Sequence, residues 1–256
     1  MNFVGALKLD HDQLDVWLCS LSTVDMAART ECWALLNRLE HERYERFLDA
    51  DARDQYLVGR ALTRMALSRY AGVPESRWVF KASHFGRPSV SEPHIHRNIH
   101  FSLSHTSGFV VLAVSRLDEV GVDIEADERE VDIYSTARAA FSAIEAEAIL
   151  RRDHASARKL FFELWTLKEA YVKARGVGFT IPLNSFWFIM QESLVKLHCT
   201  GECDARPERW QFHLSAPRAG YKMALAVGSP AKHRLRWLDC QSLAERRFSV
   251  KDAGSH

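Results

Sequence analysis

The 256-residue sequence predicts an α+β fold made of two similar halves. Two observations lead there. The order strand, helices, then several strands runs through the chain twice. The second helical stretch of each half also aligns without a gap, residues 60–73 on residues 164–177, setting Arg64 on Lys168, Arg69 on Lys173 and Gly72-Val73 on Gly176-Val177. In both copies a glycine follows the last helical turn, where a left-handed stop is commonest. The boundary falls near residues 116–120, giving an N-terminal half over 1–117, a C-terminal half over 118–228 and an extension over 229–256. No Pro/Gly/Ser-rich linker separates the halves, so they are expected to pack tightly.

In chain order, residues 14–18 read as a short strand, followed by a helix over about 23–47 and another over about 51–70. Strands over 78–82 and 88–90 flank a turn at 83–87, and strands over 99–104 and 109–115 flank a hairpin turn at 105–108. Residues 120–125 form the first strand of the second half, with helices near 134–151 and 155–175 after it. Strands then follow at 185–190, 210–214 and 222–227. In the extension, an apolar patch at 235–238 is expected to dock back on the body.

Composition bounds the function. The chain is 47% hydrophobic, enough for a sizeable core, and carries 34 Lys and Arg against 33 acidic residues. A net charge of +1 argues against a general nucleic-acid coat, so an anion site must come from local clustering. Five scattered cysteines, Cys19, Cys32, Cys199, Cys203 and Cys240, do not form a secreted disulfide framework and fit reduced thiols in a cytoplasm. Neither a signal-peptide pattern nor a membrane-length apolar run is present.

Chemistry concentrates in two motifs. On the strand over 120–125, side chains alternate, so Gly121, Asp123 and Glu125 share one face. In the following helix, Glu169 and Lys173 are four apart and share a helix face. If strand and helix meet, three carboxylates converge, and an oxygen-only cluster of that kind suits a hard cation such as Mg²⁺, with the lysine free to face a phosphate. Lys168 falls in the apolar stripe of the same helix, so it should meet a carboxylate or snorkel, and it is expected to fix the helix where the halves meet. In the first half, Arg53, Arg60 and Arg64 form a cationic line, with Asp49, Asp51 and Asp54 near enough to pair with part of it.

The two motifs resemble the signatures of the Sfp-type 4'-phosphopantetheinyl transferases, (I/V)-G-(I/V)-D-x-E and (F/W)-(S/T)-x-K-E-(A/S)-x-x-K, matched ungapped at residues 120–125 and 165–173. Phe85-Gly86-Arg87-Pro88 is similar to the family's G-(K/R)-P segment, and Phe101 to His105 to its (F/I)-(N/S)-(I/L)-S-H segment. The resemblance covers residues 47–227. It implies the 4'-phosphopantetheinyl transferase fold, a pseudo-twofold pair of α+β halves with coenzyme A in the cleft between them, and hence a monomeric pseudo-dimer. It also implies transfer of the 4'-phosphopantetheine arm of coenzyme A to a serine of an acyl or peptidyl carrier protein, with release of 3',5'-ADP.

Site roles follow from the same resemblance. Asp123, Glu125 and Glu169 would hold Mg²⁺, or Mn²⁺. Lys173 would face the leaving phosphate, and Arg53, Arg87, Ser104 and His105 would bind the coenzyme. Glu169 is the leading base, and Glu145, at another acidic family position, is a second candidate for base or outer metal ligand. His94, His96 and His100 are expected on a loop and strand surface. No nucleic-acid or membrane partner is expected. Two other classes compatible with the acids are a metal-dependent phosphoesterase or nuclease, and a non-catalytic coenzyme-binding module.

Overall fold

A computed structural model of the chain describes residues 6–93, 98–191, 194–200, 203–204 and 206–252. His94 and His96 lie outside the described residues. The chain forms two compact units, one of residues 1–83, 88–118 and 232–256, the other of residues 84–87 and 119–231.

In the first unit a mixed sheet has the order β12-β11-β1-β5-β4. Its strands are β1 (Gln13–Ser20), β4 (His100–Thr106), β5 (Phe109–Ser115), β11 (Arg234–Ser242) and β12 (Arg247–Asp252). A small separate hairpin pairs β2 (Val79–Ala82) with β3 (Pro88–Glu92). A two-residue turn, Ser107-Gly108, closes β4 on β5, and Gly108 takes a positive φ of 84°, which glycine adopts without steric cost. The long helix α3 (Ala50–Ala71) contributes Leu57, Val58, Ala61, Leu62 and Met65 to a core shared with Trp17, Val110, Leu112 and Val114.

The region expected as one helix over 23–47 is two, α1 (Met26–Ala34) and α2 (Arg38–Glu45). Asn37 causes the break: its side chain accepts from the Glu40 amide while the Glu40 carboxylate accepts from the Asn37 amide, a capping box that starts a new helix. The helix expected over 134–151 divides for the same reason. There α4 (Ile133–Ala140) gives way to α5 (Ala143–Leu150) at a Ser142–Glu145 capping box.

The second unit sets α6 (His154–Arg175) against a three-stranded antiparallel sheet of order β6-β10-β9. The strands are β6 (Val120–Ala126), β9 (Trp210–Ser215) and β10 (Tyr221–Gly228). The hairpin of β7 (Phe186–Gln191) and β8 (Leu194–Cys199) completes an aromatic core with Phe161, Phe162, Tyr171, Trp210 and Phe212. β8 was not anticipated from the sequence. Both long helices run 22 residues and end in a left-handed glycine, Gly72 and Gly176.

The expectation of reduced thiols needs correction. Cys199 and Cys203 are joined by a disulfide, their Cα atoms 5.9 Å apart, within the ordinary range for such a bond. Cys19, Cys32 and Cys240 are free and buried, so the cysteine count no longer argues for a reducing compartment. Lys168 meets a carboxylate, as expected, and that partner lies within the second unit, as detailed below. No described helix is long and apolar enough to cross a membrane.

The extension is part of the first sheet: β11 pairs in parallel with β1, and Phe248 of β12 stacks edge-on against Trp17 at 4.7 Å. The pairing is locked by Asp15, fully buried, which accepts from Arg236 at 2.9 and 2.5 Å and from the Tyr70 hydroxyl at 2.5 Å. Removing one partner of a buried pair strands a charge and typically costs about 3–5 kcal/mol. Arg236→Met is therefore expected to lower unfolding stability by about 3 kcal/mol, measured by urea denaturation followed by far-UV circular dichroism; an unchanged midpoint would refute this anchoring.

Candidate active site

Gly121 determines how closely β6 and α6 can approach. A Cβ there would sit 2.0 Å from the Ala170 carbonyl oxygen and 2.5 Å from the Ala174 nitrogen, so only glycine lets the two backbones touch. From Gly121 the strand climbs toward Glu125, about 13 Å at strand rise, as the helix descends from Ala174 to Trp165, about 13.5 Å at helical rise. Strand and helix therefore stay in step. The face carrying Gly121, Asp123 and Glu125 is the one that meets α6, as the alternation predicts.

The four motif residues come together on that face. Lys173 Nζ donates to Asp123 Oδ1 at 2.6 Å. Glu125 accepts from Arg129 at 2.9 Å, an arginine on the turn after β6 that also lies 5.4 Å over the Trp165 ring. Glu169 makes no hydrogen bond or ion pair among the described residues. Burial is the main cause that pushes both Glu125 and Glu169 up to about 7, with Asp123's charge adding to it and Lys173 and Arg129 opposing it. Carboxylates so close titrate as a set.

Among the described residues, no three metal-ligating side chains are arranged as a ready-made shell. The donor chemistry nevertheless fits a hard cation: three carboxylates, with no thiolate or imidazole beside them among the described residues, gather at buried and partly buried positions where burial first and Asp123's charge second disfavour ionisation of the two glutamates. Two of the three are turned to internal cations, Asp123 to Lys173 and Glu125 to Arg129.

Glu145 does not join this group. It is 2% exposed, and its oxygens accept from Lys168 at 2.8 Å, from the Ser142 hydroxyl at 2.8 Å and from the Phe188 amide at 3.0 Å. With its oxygens occupied in the core, it is a structural anion rather than a base or metal ligand. Lys168, fully buried, donates also to the carbonyls of Leu183 and Phe186 at 2.8 and 2.7 Å. Burial lowers its pKa from the usual lysine value and Glu145 opposes that. The lysine has met its carboxylate.

Arg87 belongs to the second unit, where its side chain packs over Gly176 and Nη1 donates to the Ala174 carbonyl at 3.4 Å. The remaining expected contacts lie in the first unit. Ser104 is buried and His105 exposed, at the end of β4. Arg60 and Arg64 do not form a free stripe, because both converge on Glu40, Arg64 at 2.6 Å with only 1% of its surface exposed. Asp54 pairs with Arg29 instead of with that line. Arg53 alone of the three has no acidic partner among the described residues: it donates to the Phe47 carbonyl at 2.7 Å and lies 5.5 Å over Tyr44. A pocket of about 580 Å³ nearby is lined by Leu39, Glu42, Arg43, Arg46 and Phe47. Its two arginines, unanticipated from the sequence, stand three apart on one helical stretch, a spacing that was a readable signal.

Comparison with known proteins agrees with these motifs. The 4'-phosphopantetheinyl transferase superfamily model matches residues 119–226, and the model of a 4'-phosphopantetheinyl transferase N-terminal region matches residues 24–117. The 4'-phosphopantetheinyl transferase psf-1 of Bacillus pumilus is 35% identical over 214 residues, covering 83% of this chain and 87% of that protein. The transferase Sfp of Bacillus subtilis is 27% identical over 195 residues, 75% of this chain and 81% of its own length. The transferase gsp of Aneurinibacillus migulanus is 34% identical over 152 residues, 59% of this chain and 61% of gsp. Among solved structures, the Thermotoga maritima holo-[acyl-carrier-protein] synthase has a TM-score of 0.35 at 22% identity, covering 53% of this chain and 77% of that one. The matched motifs, the family models and the curated relatives together define a transferase. The chain belongs to the 4'-phosphopantetheinyl transferase superfamily, and phosphopantetheinyl transfer is its activity.

Two predictions follow from the geometry. Gly121→Ala must force α6 off β6, so it should destabilise by about 3 kcal/mol or more, the upper end for an overpacked core site, as read by chemical denaturation. Retention of wild-type stability would mean that the two backbones can separate freely. The second concerns pH. An acid whose folded pKa is raised to about 7 from an unfolded 4.5 stays protonated in the folded state after the unfolded chain has lost its proton, so its contribution to stability declines as pH rises from 4.5 to 7. In EDTA, Glu169→Gln should therefore gain stability over the wild type between pH 5 and pH 7.5, measured by urea unfolding at both; a constant difference would rule out the shift.

Proposed function

We propose that the chain transfers the 4'-phosphopantetheine group from coenzyme A to a serine hydroxyl of an acyl or peptidyl carrier protein, in a divalent-metal-dependent reaction. The observation that carries this reading is the convergence of Asp123, Glu125, Glu169 and Lys173 on one face of β6 and α6. Asp123, Glu125 and Glu169 would hold Mg²⁺ or Mn²⁺, and when bound the metal would neutralise charge on the coenzyme's diphosphate.

The serine oxygen attacks the β-phosphorus, its bond to the bridging oxygen breaks, and 3',5'-ADP leaves. Lys173, already within hydrogen-bond reach of the acids, supplies positive charge on the leaving side. Glu169, without a partner among the described residues and with a pKa pushed to about 7, suits the role of proton acceptor from the serine. The ordered capping-box pair at Glu145 leaves Glu169 as the base.

Coenzyme contacts are assigned to Arg53, Arg87, Ser104 and His105, and the pocket with Arg43 and Arg46 adds cationic charge suited to phosphates. The setting this reading calls for is the cytoplasm, with the enzyme acting as a monomer and needing neither nucleic acid nor membrane.

Incubating the protein with coenzyme A, Mg²⁺ and several apo-carriers should yield a carrier adduct of phosphopantetheine mass by mass spectrometry. Lys173→Ala and Asp123→Ala are each expected to cut the rate by about 100- to 1000-fold, the range for removing one fixed electrostatic stabiliser, with the far-UV spectrum preserved. Wild-type rates in either variant would overturn the site assignment.

A further inference from the structure

Arg129 is the residue of this site that the activity does not yet use. Its guanidinium reaches back from the turn after β6 to Glu125 at 2.9 Å, and it also acts electrostatically on Glu169. Its position is defined from behind. The backbone amide donates to the Ala126 carbonyl at 3.1 Å, the Arg129 carbonyl accepts from Arg158 at 2.7 Å, and the guanidinium sits over Trp165 at 5.4 Å and Phe162 at 6.0 Å. Its side chain remains 40% exposed, whereas that of Glu125 is only 11% exposed.

These contacts make the pair asymmetric. The anion is largely buried and cannot leave, while the cation is tethered by its backbone and free to swing into water along the face of an indole. Three carboxylates with two internal cations leave the face one negative charge in excess, so a divalent ion arriving at Glu125 meets a positive charge already there. A guanidinium held on Glu125 repels a divalent ion brought to the same carboxylate.

We propose that Arg129 is an internal stand-in for the divalent metal: it neutralises Glu125 before the metal arrives, swings outward into water as the metal binds, and so sets the metal affinity. The inference rests on the reading of Asp123, Glu125 and Glu169 as metal ligands, and goes beyond it by giving the site a built-in competitor. An exposed ion pair is worth up to about 1 kcal/mol, so removing this one should tighten metal binding by about five-fold.

The test is Mn²⁺ binding, followed by electron paramagnetic resonance at pH 8.5 without coenzyme A or carrier, so that turnover plays no part. Arg129→Gln should bind Mn²⁺ about five-fold more tightly than the wild type, and Arg129→Lys, which keeps the charge, should bind as the wild type does. In a Glu125→Gln background the gain from Arg129→Gln should vanish, because the competition acts through that carboxylate. Equal or weaker binding by Arg129→Gln, or a gain that survives in the Glu125→Gln background, overturns the proposal. Asp123→Asn separates the two levels: if it binds Mn²⁺ as tightly as the wild type, the metal-ligand reading itself fails; if it loses binding while Arg129→Gln is unchanged, only the stand-in role fails.

Discussion

The site depends on a backbone contact. At Gly121 the strand β6 lies against α6 with no strand side chain between them, and this close approach lets polar side chains farther along the strand and helix reach one another. Asp123 reaches Lys173 at 2.6 Å because of this approach. A wider spacing would admit water and dissolve the cluster into separate surface charges, each weak. The rest of the second unit works to hold the helix down. Phe161, Phe162, Leu164 and Tyr171 bury one side of α6 in an aromatic core. Lys168 pins it from another direction, through Glu145 and the carbonyls of Leu183 and Phe186.

The Lys168–Glu145 pair has a counterpart in the first unit. There, too, a short helix opens with a capping box whose third residue, Glu40, is buried and paired with a buried cation on the long helix, Arg64. The internal alignment that places Arg64 on Lys168 thus places matching partners beside them. In each copy a carboxylate that closes a helix start also receives the cation, so its burial is compensated twice. The same alignment sets Met65 opposite Glu169 and Arg69 opposite Lys173, and Met65 is 2% exposed in the apolar core. The duplicated skeleton therefore carries the acid-and-lysine chemistry on α6 and an apolar face on α3.

The acid-and-lysine face was legible because it follows from two local periods, alternation on a strand and four-residue spacing on a helix. Direction was harder to read. The line of Arg53, Arg60 and Arg64 was visible as a line, but the carboxylate that claims two of them lies on another helix, at Glu40. Glu145 was assigned to the chemistry from its place in a motif, although Ser142-Ala143-Ile144-Glu145 is also a capping-box signature, which would have divided the helix and turned the carboxylate inward. Asn37 and Glu40 carried the same signal. The β1–β11 pairing depends on long-range registration that no local pattern encodes, whereas β8 and the Cys199–Cys203 bond are local features that the sequence reading passed over.

The electrostatics of the site favour function over fold. Two unit charges 4 Å apart interact by about 4 kcal/mol at an effective dielectric of 20, before the cost of removing them from water. One short Lys173–Asp123 contact cannot offset the cost of burying these acids together, and the raised pKa of Glu125 and Glu169 records the deficit, with burial its main cause and Asp123's charge the second. Packing elsewhere must hold these groups where they would not assemble by themselves, as at many sites where charge is kept poised for a ligand. On the proposed reading that deficit would favour a divalent ion: a monovalent cation relieves one carboxylate, as Arg129 does, whereas a divalent ion bound by oxygen would relieve all three together. The cost that the acids carry would then become part of the affinity for that ion.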